Sequence, residues 1–209
     1  MDKHLQGCRR CPRLAAYRDE LKHCYPDYHC APVPASGPAG ARLLVVGLAP
    51  GLHGANASGR PFTGDASGDL LFATLHRFGF ASAAQSRTKA DGTRLLDCRL
   101  TNAVKCVPPQ NRPLGDEINT CNRFLAEEIA SLPPKAIVLA LGGVAHRAVL
   151  KALGLRPAQY PFADGASYRL EDGRRLVCAY HPSKLNQNTG RVSAESFARV
   201  LAPLPGLLQ

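Results

Sequence analysis

Leu43-Leu44-Val45-Val46-Gly47-Leu48 is a continuous apolar run, and the glycine-rich stretch Ala49 to Gly64 follows it directly. An apolar run without alternation suits a strand buried on both faces of a parallel sheet. A helix is expected next, over Ser67 to Phe78. The pattern then repeats. Leu95 to Val104 reads as a strand that breaks at Thr101-Asn102, and Asp116 to Ser131 as a helix whose Asp116 and Glu117 favour the positive end of its dipole. Ala136 to Leu141 and Leu176 to Tyr180 read as strands, Gly143 to Leu153 and Ser193 to Leu201 as helices. Before the first strand lie a helix, Pro12 to His23, and a Pro- and Gly-rich loop, Pro26 to Gly40. Strands that alternate with helices predict a parallel sheet covered by helices on both faces. Ligands in such sheets bind beyond the carboxyl ends of the strands. Three polar groups sit at those ends: the loop after Leu48, Asn102, and His181.

The bulk composition agrees with one domain over residues 1–209, since 45% of residues are hydrophobic, enough for one core. No apolar run reaches membrane-spanning length, so no membrane association is expected. The stretch Met1 to Cys8 is polar and unlike a signal peptide, which predicts a cytoplasmic protein. Lys and Arg number 26 against 16 acidic residues, a net charge of +10, and such a surface attracts polyanions. Trp is absent and aromatics are few, which argues against wide base-stacking platforms.

Eight cysteines in a chain of this kind point to metal or cluster ligation plus some buried thiols, rather than to disulfides. Cys8 and Cys11 form a CxxC pair; Cys106 and Cys121 are a second, wider pair. Four thiolates suit tetrahedral zinc or a [4Fe–4S] cluster, and spacing does not choose between them. Cys98 and Cys178 fall inside apolar strands and read as core; Cys24 and Cys30 are ambiguous.

The glycines of the first loop let backbone approach a ligand closely, and Phe62 adds one aromatic face for a planar ring. Asp65, just before a helix, suits N-capping and catalysis equally. The amide of Asn102 offers a donor and an acceptor, and equally suits a turn that ends a strand. His181 can donate to an oxyanion, although a lone His at a strand end is more often structural. Here Pro182, Ser183, Lys184 and Leu185 follow it, a rigid residue, a hydroxyl, a cation and an apolar group, with Arg191 downstream. These are the parts needed to grip phosphate and wedge a base stack.

Taken together, GLAPGLHGANASGRPFTGD (47–65), TNAVKC (101–106), PPQNRP (108–113) and HPSKLNQNTG (181–190) resemble the uracil-DNA glycosylase superfamily, in particular its family 5, the iron–sulfur type b branch. The resemblance runs from about Cys8 to Arg191. It implies a three-layer α/β/α fold with a central four-stranded parallel sheet. It implies a monofunctional glycosylase, expected to be monomeric, acting on DNA that contains uracil or other deaminated or damaged bases such as hypoxanthine and ethenocytosine. An amino-terminal segment, about residues 1–40, would dock through a [4Fe–4S] cluster on Cys8, Cys11, Cys106 and Cys121.

The same resemblance makes Asn102 the base reader, Phe62 the stacking aromatic and His181 the contact to the pyrimidine O2. Gly47, Ala49 and His53 would line the base pocket. Ser183, Lys184 and Arg191 would hold phosphates, and Leu185 would enter the stack. Family 4 enzymes carry an acidic residue where this chain has Leu48, so a family 4-type reading loses its water activator, and Asp65 resembles the family 5 substitute. A non-catalytic DNA-binding protein with structural zinc is the competing class.

Overall fold

A computed structural model of the chain describes residues 3–209; Met1 and Asp2 of the polar amino-terminal stretch lie outside the described residues. Four parallel strands form the sheet: β1 (Leu43–Gly47), β2 (Cys98–Asn102), β3 (Ile137–Leu141) and β5 (Arg175–Ala179). A short antiparallel strand, β4 (Ser167–Arg169), adds to the β5 edge, so the order is β2-β1-β3-β5-β4.

That fifth strand corrects the expectation of four. Ser167-Tyr168-Arg169 is too short and polar for hydrophobic periodicity to reveal. It exists because the turn Leu170–Arg174, with Gly173 in the left-handed region (φ +85), folds it back onto β5 as a hairpin. Its exposed, polar residues blunt the sheet edge.

Alternation along the central strands sorts the core into two layers. Leu43 and Val45 of β1, with Ile137 and Leu139 of β3, face α4 (Ala66–Arg77) and α8 (Ala194–Leu201), meeting Leu71, Phe72 and Leu75 of α4 and Phe197 and Leu201 of α8. Leu44 and Val46, with Val138 and Ala140, face α5 (Gly115–Ala130) and α6 (Gly143–Ala152), meeting Leu125, Ile129, Ala145, Ala148 and Val149. Every residue of β1 and β3 is buried, the outcome expected of a strand with helices on both sides. Each such Leu or Val stabilises the fold by about 1.5–3 kcal/mol.

A third, smaller cluster joins the amino-terminal segment to the sheet. Leu5 of α1 (Lys3–Gln6) and Leu14 of α2 (Pro12–Cys24) pack on Val104, Cys106, Cys121 and Phe124. Arg13 clamps Glu117 with two 2.7 Å contacts, and Val33 N–H donates to Lys105 O at 2.7 Å, so the segment runs alongside the end of β2. No helix among the described residues is long and apolar enough to cross a membrane.

Candidate active site and cysteine cluster

The carboxyl ends of β1 and β2 meet at Gly47 and Asn102, which are register partners. Backbone bonds from Ala103 N–H to Gly47 O (2.9 Å) and Val104 N–H to Leu48 O (3.0 Å) extend that pairing and hold the strand end still. A Cβ added to Gly47 would stand 2.4 Å from Cζ of Phe62 and 2.5 Å from Oδ1 of Asn102. The aromatic edge and the amide therefore crowd into the space of one methyl group. Asn102 is 4% exposed, buried at the sheet rim.

Phe62 reaches this point through an unusual backbone. Its φ is +55, a left-handed value uncommon for a bulky residue. The surroundings hold it there. A Cβ on Gly68, in the first turn of α4, would be 2.0 Å from Phe62 O, so helix and loop pack backbone to backbone. Thr63 Oγ1 is 3.1 Å from Ser86 Oγ, and Arg60 is anchored by Thr93 O (2.8 Å) and lies over the Phe72 ring. Backbone strain of this kind persists where the surrounding structure fixes it, and it concentrates at functional sites.

His181 follows β5 by two residues and faces Phe62, with ring centroids 6.3 Å apart and planes 30° from parallel. Gly142, after β3, has φ +89 and leaves room for it: a Cβ there would touch His181 Cβ at 3.4 Å. The ring is half-buried, yet enclosed closely enough that desolvation pulls its pKa down to about 4, so it is neutral at physiological pH. A neutral imidazole can still donate one N–H.

Asp65 serves α4 as its N-cap. Oδ1 accepts from Gly68 N–H at 2.9 Å. Its second oxygen faces the other way: Cβ atoms on Gly54 and Gly51 would lie 2.3 Å and 3.1 Å from Oδ2. One carboxylate thus caps a helix and presents an oxygen to the glycine loop at once.

His53 goes elsewhere. Its Nδ1 lies 3.0 Å from the Tyr28 hydroxyl, and its ring meets Tyr25 and Tyr28 edge-on, the two tyrosines being stacked at 4.7 Å. Ala49 is half-buried and packs toward the cysteine cluster. Short helices are formed by Ala55–Ser58 (α3), and by Lys184–Asn188 (α7), which sequence periodicity did not mark. Ser183 caps α7 by accepting from Asn186 N–H at 3.3 Å. Gln187 Nε2 bonds Pro182 O (2.8 Å) and Ala66 O (3.2 Å), tying α7 to the first turn of α4. Leu185 projects from α7 with 71% of its surface exposed, beside exposed Lys184. Arg191 is exposed and lies over the Tyr180 ring at 5.4 Å.

Cys8, Cys11, Cys106 and Cys121 line a single cavity with Leu14, Arg18 and Phe124. Burial pushes the Cys106 thiol up to about 12 and the Cys121 thiol up to about 11; burial also raises Cys11. The thiols are close enough to raise one another further, so ligation there must displace protons that bare thiols hold tightly. Lys105 N–H donates to Cys121 Sγ at 3.3 Å. Among the described residues, no three His, Cys, Asp or Glu side chains are drawn together tightly enough to hold a lone metal ion. Cys98 and Cys178 are buried in β2 and β5, while Cys24 is exposed and Cys30 half-buried.

Two groups carry no assigned role in the sequence reading. Lys105 is fully buried, and its Nζ contacts Glu128 Oε1 and Oε2 (2.9 and 2.7 Å) and Thr101 Oγ1, directly before Asn102. Its sequence signal was a lysine between apolar Val104 and Cys106. Arg18, 4% exposed, gave no signal at all in an ordinary helical stretch.

Comparison with known proteins follows the same lines. The "Uracil DNA glycosylase superfamily" profile matches residues 34–204. A "Type-5 uracil-DNA glycosylase" of Thermus thermophilus is 45% identical over 202 residues, covering 94% of this chain and 92% of that protein. One of Pyrobaculum aerophilum with the same description is 43% identical over 201 residues, covering 94% and 87%. A "Type-4 uracil-DNA glycosylase" of the same organism is 32% identical over 186 residues, covering 86% and 79%. With motifs, sheet and strand-end geometry in agreement, the chain belongs to the uracil-DNA glycosylase superfamily, in its type-5 branch.

Proposed function

We propose that this protein is a monofunctional, monomeric glycosylase that hydrolyses the N-glycosidic bond of uracil in DNA, and extends to other deaminated or damaged bases such as hypoxanthine and ethenocytosine. The observation that carries the reading is the convergence of Phe62 and Asn102 at a side-chain-free Gly47, with His181 facing the Phe62 ring.

A base inside a duplex must be rotated out before its glycosidic bond can be reached. In this reading Phe62 stacks on the extruded ring and the Asn102 amide pairs with its edge. Cleavage leaves a pyrimidine anion and an oxocarbenium-like sugar. His181 donates its neutral N–H to the anionic O2, and a donor of this kind contributes on the order of 10²–10³ in rate. Asp65, its Oδ2 turned to the glycine loop, stabilises the sugar cation or orients the water that attacks it. Leu185, exposed on α7, fills the gap left in the stack, and Ser183, Lys184 and Arg191 hold the flanking phosphates.

The same reading gives Cys8, Cys11, Cys106 and Cys121 a [4Fe–4S] cluster. The site's own chemistry fits: four thiols surround one cavity, and the buried Nε of Arg18 lacks a hydrogen-bond partner among the described residues, as a donor awaiting an anionic group would. When bound, the cluster is a structural cross-link between α2 and the β2–α5 region rather than a participant in hydrolysis. Iron analysis and absorption near 400 nm distinguish it from colourless zinc.

The deciding experiment incubates the protein with strands carrying uracil, hypoxanthine or ethenocytosine, then cleaves abasic sites with alkali. Uracil strands are expected to be cut by the wild type and left intact by Asn102→Ala, while Asn102→Ala still binds duplex. Folded, iron-loaded wild type that spares every uracil strand would overturn the proposal.

A further inference from the structure

The geometry points to Arg18 as a hydrogen-bond donor to the iron–sulfur cluster itself, one that holds the cluster in its more negatively charged state and slows its oxidative loss. This rests on the [4Fe–4S] reading above. Arg18 lies on α2, two turns beyond Cys11, and lines the cavity shared by the four cysteines. It is 4% exposed. Nη2 donates to Cys8 O at 3.0 Å, which fixes the fork against the CxxC loop. Nε is buried with no hydrogen-bond partner among the described residues.

A buried guanidinium is costly unless opposite charge compensates it. The nearby carboxylates are already engaged: Asp19 pairs with Arg9 and Glu117 with Arg13. Among the described residues no carboxylate forms an ion pair with Arg18. Four thiolates around an iron–sulfur core leave a net negative charge, and that is the anion the cavity lacks. Hydrogen bonds to cluster sulfurs and nearby charge are the protein's means of setting a cluster's potential. When the cluster loses one electron, to dioxygen in air or to an electrode, its negative charge falls and the attraction to Arg18 weakens. Arg18 therefore makes that oxidation harder.

The test compares anaerobically purified holoprotein with Arg18→Gln, which keeps a donor for Cys8 O but no charge, and Arg18→Lys, which keeps charge but not the two-armed fork. Bleaching of the absorption near 400 nm in air and the oxidation potential by voltammetry are both read. Arg18→Gln is expected to bleach about tenfold faster, the scale of one charged hydrogen bond, and to oxidise at a lower potential; Arg18→Lys should fall between. Wild-type bleaching and potential in Arg18→Gln would overturn the assignment. If Arg18→Gln does not fold, wild-type bleaching in Arg18→Lys overturns it equally, because a single ammonium nitrogen cannot occupy both the Nη2 position at Cys8 O and the separate, buried Nε position. A wild-type protein without iron would instead sink the cluster reading, and this inference with it.

Discussion

Gly47 and Asn102 stand opposite each other at the ends of β1 and β2, and the absent side chain of Gly47 is what admits the Asn102 amide and the Phe62 ring to the same place. Gly47→Ala therefore pushes one or both aside. A misplacement of about 1 Å near a reacting centre costs on the order of 10² in rate, and overpacking costs about 1–3 kcal/mol in stability. Single-turnover uracil excision should fall by at least about 10²-fold, with a modest drop in the denaturant midpoint. A wild-type rate would show that the pocket tolerates the methyl.

Asp65 divides its two oxygens between Gly68 N–H and the glycine loop, so two substitutions separate capping from catalysis. Asn is as good an N-cap as Asp, whereas Ala costs about 1 kcal/mol. Asp65→Asn should keep the wild-type Tm and lose most of the single-turnover rate; Asp65→Ala should lose both. If Asp65→Asn cleaves at full rate, the carboxylate is a cap only.

His181 gives a pH dependence of definite sign. Burial lowers its pKa from 6.5 to about 4, so between those values the unfolded chain binds a proton that the folded protein refuses. This group's effect is to make stability rise with pH across that window and to destabilise the fold as pH drops from about 6.5 toward 4. His181→Gln should flatten that part of the stability profile in denaturant titrations. The neutral imidazole also persists well below pH 6.5, so no fall in cleavage rate near 6.5 should trace to His181. A rate transition there that disappears in His181→Gln would refute this.

Lys105 and Glu128 form a buried ion pair beneath the Thr101–Asn102 strand end. Removing one partner leaves an uncompensated charge, so Lys105→Met should cost about 3–5 kcal/mol, while Lys105→Met combined with Glu128→Leu should recover much of it. Chemical denaturation of the four proteins in this cycle measures the coupling. Additive losses would mean the two charges are independently solvated.

Much of this architecture was legible along the chain. The strands β1 and β3 showed as apolar runs because burial on both faces leaves no polar alternate positions, and the ends of β2 and β5 were marked by Asn102 and His181. Asp65 was visible as a helix start. The strand β4 was not, since three polar residues owe their conformation to the neighbouring β5. The short helix α7 was equally hidden, because it rests on the Ser183 cap and on Gln187 reaching Ala66, 121 residues away. His53 sits in the same loop as Phe62, yet its ring is taken up by Tyr28 of the amino-terminal segment, a partner that loop sequence cannot announce.

What the sequence determined by itself was local: which stretches extend, which coil, and which chemical groups stand at their ends, because backbone propensity and side-chain period act over a few residues. Only the tertiary structure decided which of those groups share a space. Strand order set Gly47 beside Asn102, the left-handed turn at Phe62 brought its ring edge to Gly47, and the docking of α2 left one buried nitrogen of Arg18 without a hydrogen-bond partner among the described residues. Those relationships depend on packing between segments far apart in the chain, where direction and distance are settled by the whole core at once.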